Sequence, residues 1–285
     1  MIYSLITAEK AKHGVSRMCA TLGVSVSGYY AYCSRPMSSR KREDSTLGAH
    51  IRAAFTRSHE SYGSPRIVKE LKAQGLKIGR RRTARLMREN HLNARPRQRF
   101  TRTTNSAHSL GVAKNLLAQD FTATAPNQKW GVDITYIWTR QGWLYLAVVI
   151  DLYSRRVVGW QTSNRMLTDL PGKALERALA IRQPKPGLIH HSDRGSQYCS
   201  AEYQSLLEPR GVIASMSGKG NCYDNAMVET FFKTLKSELV WKTVFMTRDQ
   251  ANVAIARYID QFYNPVRRHS ALKYLSPAQF EKQKT

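Results

Sequence analysis

The sequence predicts an α/β chain in which small all-α regions precede a mixed five-stranded sheet flanked by helices. Three observations predict it. Residues 8–92 carry short helical patterns punctuated by glycine and proline. Residues 129–163 carry three consecutive strand patterns joined by short turns. Beyond residue 165, helical and strand patterns alternate.

At the N-terminus, "SRMCATLGVSVSGYYAY" reads as a helix, a glycine turn at Gly23 and a second helix, the outline of a helix-turn-helix. Residues 34–46, polar and containing Pro36, read as a linker. "TLGAHIRAAFTRSH" has apolar residues at helical spacing. "YGSPRIVKELKAQG" offers Ser64 as N-cap, Pro65 at the first helical position and Gly75 as the stop. "GRRRTARLMRENHL" is a third helix, with Ala84, Leu86, Met87 and Leu92 inward and Arg80, Arg81, Arg82, Arg85 and Arg88 outward.

From residue 129 the period changes. "KWGVDITYIW" alternates, with Asp133 and Thr135 on one side and Val132, Ile134, Tyr136 and Trp138 on the other. "WLYLAVVID" is continuously apolar, as in a strand buried on both faces, and "RRVVGWQTS" is a third strand. A helix (168–182), a strand ("GLIHH"), a helix ("AEYQSLLEPRG"), a short strand ("VIASM") and a helix over about 225–241 follow. That order matches the ribonuclease-H-like fold.

The 285 residues hold 45 Lys+Arg against 20 Asp+Glu, a formal +25. The excess is uneven: residues 1–119 carry 23 bases and 6 acids, residues 120–285 carry 22 and 14. A clustered basic excess is the footprint of a polyanion binder. Arginines on one helix face suit phosphate and guanine. No apolar run is long enough to span a membrane. The N-terminus lacks a signal-like segment, and the four scattered cysteines form no Cys-x-x-Cys pair, so the chain reads as cytosolic and reduced. The expected division is an N-terminal helix-turn-helix-like segment (1–38), a helical DNA-binding domain (39–95), a basic linker (96–125) and a sheet-containing core with C-terminal helices (126–285).

Against this charge, three acids stand out. Asp133 interrupts a strand and Asp193 ends one. Glu229 shares a helix face with Lys233 and Lys236, beside a stripe of Val228, Phe232, Leu235 and Leu239. Each has an ordinary explanation as a turn, a surface residue or an i, i+4 ion pair. Together, on two strands and a helix, they suit a phosphoryl-transfer site: two divalent metals about 4 Å apart activate a nucleophile and stabilise a leaving oxygen, and magnesium is held by a few carboxylates. Asp151, Asp224 and Asp120 are rivals. Asp151 also ends an apolar strand, and pattern alone does not exclude it; Asp224 reads as an N-cap.

The stretches "NQKWGVDITYI", "GWLYLAVVIDLYSRRVVGW", "HSDRGSQYCS", "SMSGKGNCYDNAMVETFFKTLKSE" and "YNPVRRHSALKYLSPAQF" resemble the second-reading-frame product of bacterial DDE transposases of the insertion sequence 3 family, relatives of retroviral integrases. The resemblance covers nearly the whole chain. It implies that Asp133, Asp193 and Glu229, rather than Asp151, are the metal-binding catalytic acids. It implies Mg2+, with Mn2+ as the alternative ion, and DNA cleavage and strand transfer at element ends. Lys236, seven positions after the glutamate, matches a residue that contacts terminal DNA. Further expected DNA contacts are Lys233, Lys219 in a mobile glycine-containing loop, Arg66, Arg80, Arg81, Arg82, Arg85, Arg267 and Arg268. Expected partners are double-stranded DNA (element ends and target), a first-reading-frame protein or fusion, and further copies of the chain in a dimer or larger assembly. The competing readings are a non-catalytic DNA-binding regulator and a nuclease that hydrolyses without joining.

Overall fold

The computed structural model describes residues 2–94, 112–218 and 222–283. They divide into two compact units, Met1–Arg52 and Ala53–Thr285. Among the described residues no helix is long and apolar enough to cross a membrane.

In the first unit, α1 (Ile2–Glu9), α2 (Val15–Thr21) and α3 (Val26–Ser34) close on Ile6, Cys19 and Tyr29, all fully buried. The turn between α2 and α3 is made by Gly23, whose φ of +67° is costly for any residue with a Cβ. Ser25 caps α3 by accepting from the Gly28 amide at 3.0 Å. The helix α4 (Ser39–Arg57) starts inside the stretch read as a linker. Its first residues are helical but polar throughout, so no apolar period announces them.

The second unit begins within the last part of α4 and continues with α5 (Ser64–Ala73) and α6 (Arg80–Glu89). Gly63, not Ser64, occupies the cap of α5, and the helix stops as predicted, with Gly75 at φ +82°. In α6 Thr83 takes an inward position and Ala84 is exposed; the Thr83 hydroxyl donates to the Gly79 carbonyl at 3.0 Å, which makes its burial tolerable.

The sheet follows the predicted order. Strands β1 (Lys129–Thr139), β2 (Gly142–Asp151) and β3 (Val157–Ser163) form an antiparallel meander. Next come α7 (Asp169–Arg182), β4 (Ile189–Ser192), the short helices α8 (Ser196–Cys199) and α9 (Ala201–Gln204), and β5 (Ile213–Met216). β4 pairs parallel with β1 and β5 parallel with β4, so the sheet reads β3-β2-β1-β4-β5, the ribonuclease-H-like arrangement. The helix expected over 201–211 is shorter; a single 3₁₀ turn at Glu208–Arg210, containing Pro209, ends it.

One face of the sheet packs Trp130, Val132, Ala147 and Val149 against α7 residues such as Leu175 and Ala178. The approach is close: a Cβ on Gly159 would meet the Ala174 carbonyl oxygen at 2.2 Å. The other face packs Leu146, Val148 and Ile150 against α10 (Ala226–Glu238) and α11 (Arg248–Ala256), the latter continued by a π-helical segment Arg257–Tyr263. The final helix, α12 (Pro277–Lys282), begins with a capping box between Ser276 and Gln279.

Two acids are consumed by this framework. Asp151 is fully buried; it accepts from the amides of Asn127, Tyr153 and Ser154 and faces Arg182 at 3.5 Å. Asp120 pairs with Lys129 at 2.8 Å.

Candidate active site

Parallel pairing of β1 and β4 brings Asp133 and Asp193 together. Gly131 is opposite His191, so two steps further along each chain Asp133, within β1, comes beside Asp193, just past the end of β4. Asp133 accepts from the Ile134 amide at 2.7 Å, and Asp193 from the Gly195 amide at 2.9 Å. Gly195 has an ordinary negative φ of −62°, so its lack of a side chain matters for space rather than backbone freedom. A Cβ there would lie 3.0 Å from Asp193 Oδ1 and 3.4 Å from Tyr198 Cδ2.

The first turn of α10 brings Glu229 near enough for its charge to act on Asp133. Two contacts fix it. Asn225 donates to the Val132 carbonyl at 3.1 Å. Val228 packs so close to Gly131 that a Cβ on the glycine would meet it at 2.7 Å. Glu229 is engaged by Lys233 at 3.3 Å.

The electrostatics follow from this crowding. Burial pushes the Asp133 carboxyl well above the usual range, and the charges of Asp193 and Glu229 push it further; the Ile134 amide and Lys236 oppose them. Lys236 is itself buried, its ammonium 4.9 Å from the Tyr136 ring centroid, and burial pulls it down to about 8 against the attraction of Asp133. Tyr198 is buried beside the acids, and its hydroxyl has no hydrogen-bond partner among the described residues. Burial, then Asp133 and Asp193, push that hydroxyl up.

An all-oxygen set of mutually repelling carboxylates fits a hard divalent cation, whose charge relieves the repulsion that raises Asp133. Among the described residues no three His, Cys, Asp or Glu side chains stand at ligand spacing.

The expected DNA contacts fare unevenly. Arg80 and Arg81 are exposed on α6, and Arg82 is partly exposed. Arg85 pairs with Glu89 at 2.9 Å. Arg66 is half-buried over the Tyr62 ring. Lys236 is buried, not an exposed contact. Arg267 is corrected outright: it is buried in a two-pronged pair with Glu238 and presents no charge to DNA. Arg268 is likewise committed, to Glu70 at 2.7 Å and to the Tyr274 carbonyl. Lys219, Gly220 and most of the basic linker lie outside the described residues.

Asp224 is also corrected. It does not cap α10; Asn225 stands at the cap without a side-chain cap bond. Asp224 is buried and accepts from Asn115 at 2.9 Å and the Gly218 amide at 3.0 Å, tying the end of β5 to the start of α10. Sequence reasoning took the residues from Arg194 to Tyr198 as support for the turn, without a role for Gly195 or Tyr198 individually, and it missed Asn225. Gly195 lies in the turn after Asp193 and Tyr198 in the short helix α8 that follows, and their proximity to the acid in the chain was the available signal.

Integrase core domain models match residues 123–222 and 229–284, and an HTH-like domain model matches residues 41–100. The chain is 48% identical over 263 residues to an insertion element IS600 uncharacterized 31 kDa protein of Shigella sonnei, covering 92% of this chain and 97% of that one. It is 45% identical over 283 residues to the transposase InsF for insertion sequence IS3A of Escherichia coli K12, covering 99% and 98%. Among solved structures it is similar to the HTLV-2 integrase catalytic core domain in complex with magnesium (trimeric form), at 16% identity and a TM-score of 0.44 over 56% of this chain and 99% of that one. Sheet order and core-domain match together define a polynucleotidyl transferase of the integrase class. Within that class, the chain belongs to the insertion sequence 3 family of transposases.

Proposed function

We propose that the chain cleaves DNA strands at the ends of an insertion sequence and joins them to a second site, using Asp133, Asp193 and Glu229 as the acids that would hold two magnesium ions. The observation that carries this reading is the parallel β1–β4 register, which sets Asp133 beside Asp193; burial first, then the charges of Asp193 and Glu229, raise the Asp133 carboxyl. When bound, the ions would lower the cost of forming the attacking oxygen and of expelling the leaving one.

The chain's own groups have separable tasks. The Ile134 and Gly195 amides orient Asp133 and Asp193. Asn225 and Val228 hold the helix that carries Glu229. Lys236 offsets the charge of Asp133 from within the protein. Arg80 and Arg81 supply exposed cations, and Arg82 a partly exposed one, that would grip backbone phosphates. In the first step water breaks a phosphodiester and frees a 3′-hydroxyl; in the second that hydroxyl attacks another phosphodiester and displaces its 3′-oxygen. Two ends must be processed, so an assembly of at least two copies on DNA is proposed, together with a first-reading-frame partner.

The test uses DNA carrying an element end. Asp193→Asn should abolish cleavage and joining while leaving DNA binding within about twofold. Retained cleavage overturns the assignment. Cleavage by the unaltered chain, without joining when a 3′-hydroxyl end is supplied, would make it a hydrolytic nuclease instead.

A further inference from the structure

On the flank of α10 turned away from Glu229, the second unit holds a recess of about 130 Å³, several times the room that one water needs. Three guanidinium groups line it: Arg66 of α5, Arg155 of the β2–β3 turn, and Arg267. His269, Thr230 and Ser270 add polar atoms, and no carboxylate lines it. The charge of Arg267 is already balanced by Glu238.

Arg155 differs from its neighbours. It is half-buried, yet it donates to no acceptor among the described residues. Desolvating a cation without a partner is unfavourable. Its backbone is also strained, with φ +59°, a region where glycine would sit without cost. A strained and partly desolvated arginine with no acceptor is an unfavourable arrangement for its turn, and an anion in the recess would satisfy it. The planar fork of a guanidinium matches phosphate oxygens.

We infer that this recess is an oxyanion site that takes a single phosphate group, with Arg155 as its main ligand. The phosphate comes either from the backbone of bound DNA or from free phosphate; the first source rests on the function proposed above. The site is separate from the three acids, because Met227, Phe231 and Thr234 face it from the far side of α10.

The experiment compares the full-length chain with Arg155→Gly, which removes the guanidinium and relieves the strained φ, so folding is retained. Inorganic phosphate should raise the melting temperature of the unaltered chain more than chloride at matched ionic strength, and Arg155→Gly should lose that gain. In DNA-binding titrations against salt, a backbone phosphate predicts that Arg155→Gly lowers the slope of log K against log salt by about one. A lost phosphate gain with an unchanged slope identifies free phosphate as the occupant. If neither the phosphate gain nor the slope differs between the two proteins, the inference is overturned. A chain that binds no DNA would sink the proposed function, while the phosphate arm would still decide the recess.

Discussion

Arg267 and Glu238 form a buried, two-pronged ion pair: Nη2 to Oε1 at 2.6 Å and Nε to Oε2 at 2.8 Å, with side chains 2% and 5% exposed. Tyr258 donates to the same carboxylate at 2.8 Å. Burial alone would raise Glu238, but the charge and hydrogen bonds of Arg267 win, and its carboxyl lies below the usual range. Removing one partner strands the other's charge. Arg267→Ala should therefore cost about 3–5 kcal/mol of stability, read from urea denaturation. A loss confined to DNA affinity, with an unchanged urea midpoint, would contradict the structural role.

Gly195→Ala tests the site's tolerance for volume. A Cβ would press on Asp193 Oδ1 and on the Tyr198 ring at 3.0 and 3.4 Å. Strand cleavage should fall roughly tenfold or more, because small misplacements of a catalytic group are expensive, while the far-ultraviolet spectrum and melting temperature stay near those of the parent. Full activity in this variant would mean that the turn after Asp193 yields freely.

His190 sets an acid limit on stability. It is buried against the Tyr203 hydroxyl at 3.0 Å, and burial pulls its imidazole down to about 4 from an ordinary 6.5. The unfolded chain takes up this proton at higher pH than the folded chain. The contribution is thus intact above pH 6.5 and is lost as pH falls from there to about 4, amounting to roughly 3 kcal/mol. Imidazole resonances followed by NMR should show His190 neutral at pH 5.5; a midpoint near 6.5 would refute this.

Glu281 ties the last helix to the core. It accepts from Ser154 at 2.7 Å, Arg156 at 2.8 Å and both terminal nitrogens of Arg182. Glu281→Gln should cost about 2–3 kcal/mol, the value of charge-assisted bonds lost around a largely buried group. An unchanged denaturation midpoint would show that α12 is held by its apolar contacts alone.

The sheet was legible because its signals are local: alternation in β1, a continuous apolar run in β2, and turns short enough to force a meander. The three proposed acids stood out because Asp133 interrupts a strand, Asp193 ends one and Glu229 shares a helix face with Lys233 and Lys236, and Asp151 was set aside only through the family resemblance. Its buried bonds to Asn127, Tyr153, Ser154 and Arg182 now give the physical reason. The fate of the arginines was not legible. Arg267 and Glu238 are 29 residues apart, and Arg268 and Glu70 are 198 apart. Whether an arginine faces solvent or a carboxylate depends on pairings that no local period records. Asp224 was misread for the same reason, since its partner Asn115 lies 109 residues away.

The parallel ladder between β1 and β4 has a kinetic consequence. It joins segments about 60 residues apart in the chain, and Glu229 arrives only after a further 36. Non-local strand pairing is closed late, because the entropy of the intervening loop must be lost before the contacts return anything. A nascent chain still lacking α10 can complete the meander but not the acid set. On the proposed assignment, the acid set is therefore assembled only after α10 has been made and has docked on β1.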